Sequence, residues 1–148
     1  MKIHIATDHA GLEMKNLIYK YLNDQGHTLI DHGAHKYDPL DDYPDFIFPC
    51  AVAVSKDIDS RGIILGGSGQ GEAIVANRIK GIRAAVYYGG PIDIIKLSRQ
   101  HNNANILVLG SRLISEDEAI KCLLVFFKTE FEGGRHECRL SKFNNVDL

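Results

Sequence analysis

Apolar residues gather in short blocks along this chain, and stretches of helical periodicity separate most of the blocks. Ile3-His4-Ile5-Ala6, Thr28-Leu29-Ile30, Gly62-Ile63-Ile64-Leu65, Ile82 to Tyr87 and Ile106-Leu107-Val108-Leu109 are the blocks. Short, near-continuous apolar runs suit strands buried on both faces. The first strand spans Lys2 to Thr7 and the second His27 to Asp31. Between them Leu12, Leu17, Ile18, Tyr21 and Leu22 recur at near-helical spacing. They predict a helix that opens at Asp8-His9-Ala10-Gly11, runs to about Asp24 and is stopped by Gln25-Gly26. A polar loop from Gly33 to Asp42 follows, longer than an ordinary connection and therefore a candidate for function. A second helix is predicted from Tyr43 to about Lys56. Pro44 suits its first turn, and Pro49 should kink it or delay its start.

The third strand leads into Gly66-Gly67-Ser68-Gly69-Gln70-Gly71-Glu72 and a helix over Ala73 to Arg78. Gly81 precedes the fourth strand, and Gly89-Gly90-Pro91 turns the chain into a helix from Ile92 to about Gln100. After the fifth strand, Ser115 and Glu118 read as a capping box for a helix reaching about Glu130. From about residue 131 onward the chain reads as a basic, polar arm, Gly133-Gly134-Arg135-His136-Glu137-Cys138-Arg139. Five β-α units in alternation imply an α/β fold. We expect one three-layer α/β/α domain over residues 1–148, with a five-stranded parallel, doubly wound, Rossmann-like sheet. Ligands bind such sheets beyond the carboxyl ends of the strands. Asp8-His9, Ser68 to Glu72 and Ser111-Arg112 fall at those ends. His101 and Asn102 end a helix instead, which puts them on the opposite edge, where they would serve a neighbouring subunit.

The glycine turn is the most informative stretch. Strand, glycine turn and helix together gather backbone N–H groups and a positive helix end around an anion. The pattern is neither the dinucleotide fingerprint nor a Walker loop, since no Gly-Lys-Ser/Thr follows. On its own it is equally a tight turn with Glu72 complementing the helix dipole. Ser68 adds a hydroxyl and Glu72 a carboxylate.

Bulk properties exclude several classes. A chain of 148 residues, 45% of them hydrophobic, fits one globular domain. A net charge of −2 without a basic stripe argues against nucleic acid. No apolar run approaches the ~18 residues of a membrane span. No leader pattern precedes the first strand, which points to the cytoplasm. Cys50, Cys122 and Cys138 have no paired spacing, as free thiols in a reducing compartment would. No metal is expected: His27, His32 and His35 lack zinc-motif spacing, and Asp38, Asp41, Asp42 and Asp45 lack the EF-hand pattern, so both sets read as solvated surface.

Taken in order, Asp8-His9-Ala10-Gly11, Asp42-Tyr43-Pro44, Gly67 to Glu72, Ala76-Asn77, Gly81-Ile82-Arg83-Ala84, His101-Asn102 with Asn105, Gly110-Ser111-Arg112, and Glu132-Gly133-Gly134-Arg135-His136 with Arg139 form one set. This set resembles the ribose-5-phosphate isomerase B family, which also holds galactose-6-phosphate isomerase subunits. The resemblance implies interconversion of an aldose phosphate and its ketose through an enediolate, with no metal or other cofactor. It implies a homodimer whose sites are shared between subunits, paired into a tetramer in some members. One version of the family carries a cysteine base before the glycine turn; the other uses the glutamate after it. Gly66 stands at the cysteine position here, which assigns this chain to the glutamate version.

The resemblance implies a role for each residue. Glu72 is the base. A carboxylate is ionised at neutral pH, and burial raises its pKa towards the ~6–7 useful for proton abstraction. Ser68, with the N–H groups of Gly69 and Gly71 and the close approach allowed by Gly67, holds the enediolate oxygens. His101 opens the sugar ring, and Asp8 holds sugar hydroxyls or moves their protons, besides serving as a helix N-cap. His9, Arg112, Arg135 and Arg139 hold the phosphate. Tyr43 lines the pocket, Asn102 reaches the sugar from the partner subunit, and Asn77 supports the loop. Ribose 5-phosphate and ribulose 5-phosphate are the expected pair, with allose or galactose 6-phosphate as the alternative. A non-catalytic nucleotide-binding module is disfavoured by the missing fingerprint. Phe143 and Leu148 are read as packing on a partner subunit.

Overall fold

A computed structural model describes residues 1–143; Leu148 lies outside the described residues. Five strands form one sheet: β1 (Lys2–Thr7), β2 (Thr28–Asp31), β3 (Arg61–Gly66), β4 (Ala84–Tyr87) and β5 (Ile106–Gly110). Their spatial order is β2-β1-β3-β5-β4 and every pairing is parallel. Six helices complete it: α1 (Leu12–Asp24), α2 (Pro44–Ser55), α3 (Gln70–Asn77), α4 (Asp93–Asn102), α5 (Glu116–Lys128) and α6 (Arg135–Phe143).

Strand side chains alternate between two cores, as a pleat requires. Ile3, Ile5, Ile63, Leu65, Leu107 and Leu109 pack with Ile18 and Leu22 of α1, Ile95 of α4 and Leu123 and Phe126 of α5. Ala6, Ile64, Ile106 and Val108 face the other way, onto Ile47, Ala51 and Val54 of α2 and Ala73 and Ala76 of α3. The three-layer expectation holds. The chain after β1 turns to one face and the chain after β3 to the other, so the loops following these neighbouring strands diverge. That is the switch point at which ligands bind such sheets.

Several local readings change. Ile82 and Arg83 precede β4 rather than starting it. Pro49 lies inside α2, which continues through it. Ser115 Oγ accepts from the Glu118 N–H at 3.1 Å, but the Glu118 carboxylate accepts from the Tyr87 hydroxyl at 2.7 Å, so only half of the capping box forms. The polar arm contains α6: Gly133 and Gly134, both at positive φ, make the turn that seats it, and it packs on α4. A strongly amphipathic helix of polar composition needs few apolar residues, which is why the sequence reads as a tail. Asn77 does not support the glycine loop. Its amide donates to the Ala84 carbonyl and accepts from the Ala84 N–H, at 2.9 and 2.8 Å, securing edge strand β4. Cys50 and Cys122 are buried, and desolvation raises both thiols, Cys122 to about 12.

His32 is not solvated surface either. It shares a 2.9 Å hydrogen bond with buried His4, and burial lowers the pKa of both rings. Beside them, Lys15 is buried at 1% exposure and donates to both Asp31 oxygens at 2.8 Å and to the Ala34 carbonyl at 2.7 Å. Removing one partner of a buried pair leaves the other uncompensated. Lys15→Met should therefore lower the unfolding free energy by about 3 kcal/mol, read by urea denaturation. An unchanged midpoint would show that the pair contributes nothing.

Candidate active site

The loops after β1, β3 and β5 meet at one edge of the sheet. Ser111 ties them together: its N–H donates to the Gly66 carbonyl at 2.8 Å, and its Oγ lies 2.8 Å from that carbonyl oxygen and 3.1 Å from the Ala10 carbonyl oxygen. The Arg112 N–H donates to the Gly67 carbonyl at 3.1 Å, and the Arg112 side chain lies over Gly67. Gly69 takes φ +80 at the head of α3, a left-handed conformation that favours glycine. Ser68 is exposed, and its Oγ accepts from the Gln70 N–H at 3.4 Å. Tyr43 packs its ring where a side chain at Gly71 would stand.

Glu72 lies in the first turn of α3, yet its side chain turns inward and it is only 5% exposed. Its carboxylate fills the space that a Cβ on Gly66 would need. Burial raises its pKa above the ordinary carboxylate range; a hydrogen bond from its own N–H opposes this, and the charge of Asp8 adds to it. Asp8 is itself buried and caps the turn after β1, accepting from the Ala10 N–H at 3.0 Å. His9 beside it pairs with Asp41, a residue whose long polar loop gave no sign of it. Asp41 is thus not surface, contrary to expectation. This edge holds Asp8, His9, Tyr43, Gly67, Ser68, Gly69, Gly71, Glu72 and Arg112.

The remaining residues lie on the opposite edge, where strands begin. Asn103, at φ 45, caps α4 and ends it at His101-Asn102. The Glu132 N–H donates to the Gln100 carbonyl at 3.0 Å, which brings the α6 segment alongside. The His101 and His136 rings stack at 4.2 Å, and their Nε2 atoms lie 3.9 and 3.6 Å from Glu132 Oε2. Burial, then the positive charges of His101, Arg135 and Arg139, lowers the His136 pKa. Arg139 reaches His136 Nδ1 at 3.5 Å, and Arg135 opens the same helix. Asn102 is exposed and lines a cavity of about 360 Å³ with Phe143. The four groups expected to hold a phosphate are therefore divided: His9 and Arg112 on one edge, Arg135 and Arg139 on the other. The sequence assigns Glu132 no role and sets His136 beside the phosphate-holding arginines only by adjacency.

Two clusters bring metal-capable atoms within 4.8 Å of one another: His101, Glu132 and His136, and Asp8, His9 and Asp41. In the second, His9 and Asp41 already pair with each other, although Asp41 Oδ2 has no partner among the described residues. The first has the donor set to hold a cation.

The overlap between Gly66 and Glu72 makes a prediction. Gly66→Ala should expel the carboxylate and cost about 2 kcal/mol of stability through overpacking. A crystal structure of the variant checks it; a carboxylate still in its buried position would contradict the steric account.

A family described as Ribose/Galactose Isomerase matches residues 3–143. A Mycoplasma pneumoniae protein named probable ribose-5-phosphate isomerase B is 44% identical over 140 residues, covering 95% of this chain and 91% of that one. The ribose-5-phosphate isomerase B of Mycolicibacterium paratuberculosis is 40% identical over 141 residues, covering 95% and 87%. The crystal structure of Mycoplasma genitalium ribose-5-phosphate isomerase B with bound ribulose-5-phosphate superposes with a TM-score of 0.93 at 41% identity, covering 97% of this chain and 94% of that one. Sequence and fold agree along the described chain, glycine turn and α6 included: it belongs to the ribose/galactose isomerase family.

Proposed function

We propose that this chain interconverts D-ribose 5-phosphate and D-ribulose 5-phosphate through an enediolate, in the cytoplasm and within pentose phosphate metabolism. The observation that carries this reading is the buried Glu72 carboxylate, with its raised pKa, at the head of α3. Glu72 takes the proton from C2 of the open-chain aldose and returns it to C1. Ser68 and the N–H groups of Gly69 and Gly71 hold the developing oxyanion, the Gly71 N–H being a first-turn donor of α3 without an intrahelical partner. Asp8, adjacent and buried, moves the hydroxyl proton between O2 and O1. The bound ribulose-5-phosphate of the Mycoplasma genitalium relative favours the five-carbon pair over a six-carbon sugar phosphate.

The division of the residues between two edges supports a homodimer. His101 would open the ring, and Arg135 and Arg139 would grip the phosphate, in the site of the partner subunit. Asn102 would reach the sugar from the same side. Edge strand β4 and the exposed Ile74, Ile94 and Leu97 offer a surface for such pairing.

Two experiments test this. Turnover of ribose 5-phosphate is measured with chelator present for wild type and Glu72→Gln; loss of about 10²–10⁴-fold is expected. Retained activity would remove Glu72 as the base. The raised pKa places the acid limb of kcat/KM above the ordinary carboxylate value, with activity falling as pH drops through it. A raised pKa contributes stability that is present at low pH and lost as Glu72 ionises. Glu72→Gln, neutral throughout, should therefore melt higher than wild type at neutral pH. Second, inactive Glu72→Gln and His101→Asn chains are unfolded and refolded together. Each hybrid dimer then holds one intact site and should recover about half of wild-type activity. A mixture that stays inactive would rule out shared sites.

A further inference from the structure

The loop between β2 and α2 is fixed at its base. Thr7 and Gly33–Ala34 exchange two backbone hydrogen bonds at 2.7 Å, and Lys15 holds the Ala34 carbonyl from the core side. At the far end of the loop Asp41 folds inward. Its Oδ1 lies 2.5 Å from His9 Nδ1 and accepts from the His9 backbone N–H at 3.2 Å. The Asp41 side chain is 8% exposed, and its Oδ2 is buried with no partner among the described residues. A carboxylate taken from water with one oxygen unpaired is costly, and the pairing with His9 offsets that cost.

His9 is confined from another side as well. Tyr37, from the same loop, meets its ring edge-on with centroids 6.0 Å apart. His9, Tyr37, Glu13 and Arg112 line a cavity of about 420 Å³ beside the candidate site. The loop therefore supplies two residues that fix one imidazole at the rim of a cavity, opposite an arginine.

We propose that Asp41 is a positioning residue for the phosphate subsite, holding the Nδ1–H of His9 so that Nε2–H is presented, with Arg112, to the substrate's phosphate. This rests on the sugar-phosphate reading above. The charged groups around His9 agree with it. The hydrogen bond to Asp41 raises the His9 pKa most; the charges of Asp8 and Asp41 add to it, desolvation and Arg112 oppose it, and Glu13 and Tyr37 face the same cavity. His9 then keeps its charge at pH values where a free imidazole, titrating near ~6.5, has lost it.

Asp41→Asn keeps the acceptor oxygen and removes the charge. KM for ribose 5-phosphate should rise about tenfold at pH 8 and stay within about twofold of wild type at pH 6, where His9 protonates unaided, with kcat changing less than KM. Equal rises at both pH values would mean a merely structural role and overturn the proposal. A second readout needs no catalysis. The His9 imidazole is titrated by NMR, assigned with His9→Asn, with and without inorganic phosphate. In wild type it should titrate above ~6.5, and higher still with phosphate; in Asp41→Asn it should titrate lower. A wild-type value at or below ~6.5 overturns the proposal even if the variant fails to fold. A chain without isomerase activity whose His9 titration follows Asp41 and phosphate would sink the isomerase reading and leave the positioning intact.

Discussion

The buried carboxylate of Glu72, seated where Gly66 has no side chain, is the constraint around which this site is arranged. An acidic side chain in the first turn of a helix normally points to water and complements the dipole. Turning it inward requires an empty volume at the end of β3, and the missing Cβ of Gly66 provides it. The same displacement explains the altered acidity, since burial is its first cause. It also means that the Glu72 carboxylate and a side chain at position 66 exclude each other. A cysteine there would occupy the volume that the carboxylate uses.

Around that carboxylate the neighbouring loops are held by one side-chain hydroxyl and by backbone geometry. Ser111 bridges the Gly66 and Ala10 carbonyls, and Gly69 starts α3 in a left-handed conformation. Arg112, Tyr43 and Glu72 each lie where a glycine leaves room, at Gly67, Gly71 and Gly66 in turn. The glycines of this turn therefore act as sockets for the Glu72, Arg112 and Tyr43 side chains.

Legibility in the sequence followed burial. The strands could be read because both faces of a parallel sheet are covered, which leaves apolar runs such as Ile63-Ile64-Leu65. Residues at the carboxyl ends of strands could be placed because the topology dictates where those ends lie. What failed to show was polar and long-range. Asp41 lies in a loop of charged residues and is distinguished from Asp38 only by a contact with His9, thirty-two positions away. His32 reads as surface until its bond to His4 is seen. α6 reads as a tail because only one of its residues, His136, is buried. Its helix depends on the turn at Gly133-Gly134 and on packing against α4, which no local pattern announces.

The proposed division of the site between two edges of one chain has a chemical rationale. Asp8 and Glu72 are both buried acids in contact through their charges, so the edge that carries the base is electrostatically negative at its centre. A sugar phosphate is a dianion, and two carboxylates beside it disfavour its approach. His9 and Arg112 at the rim compensate only in part. Arg135, Arg139, His101 and His136 gather on the other edge around Glu132; burial, then the neighbouring positive charges, lowers the His136 pKa. In the proposed dimer the basic groups of one subunit meet the carboxylates of its partner, and Arg135 and Arg139 join His9 and Arg112 around the phosphate. On that proposal, pairing of subunits is what lets a site built on two buried carboxylates hold an anionic substrate.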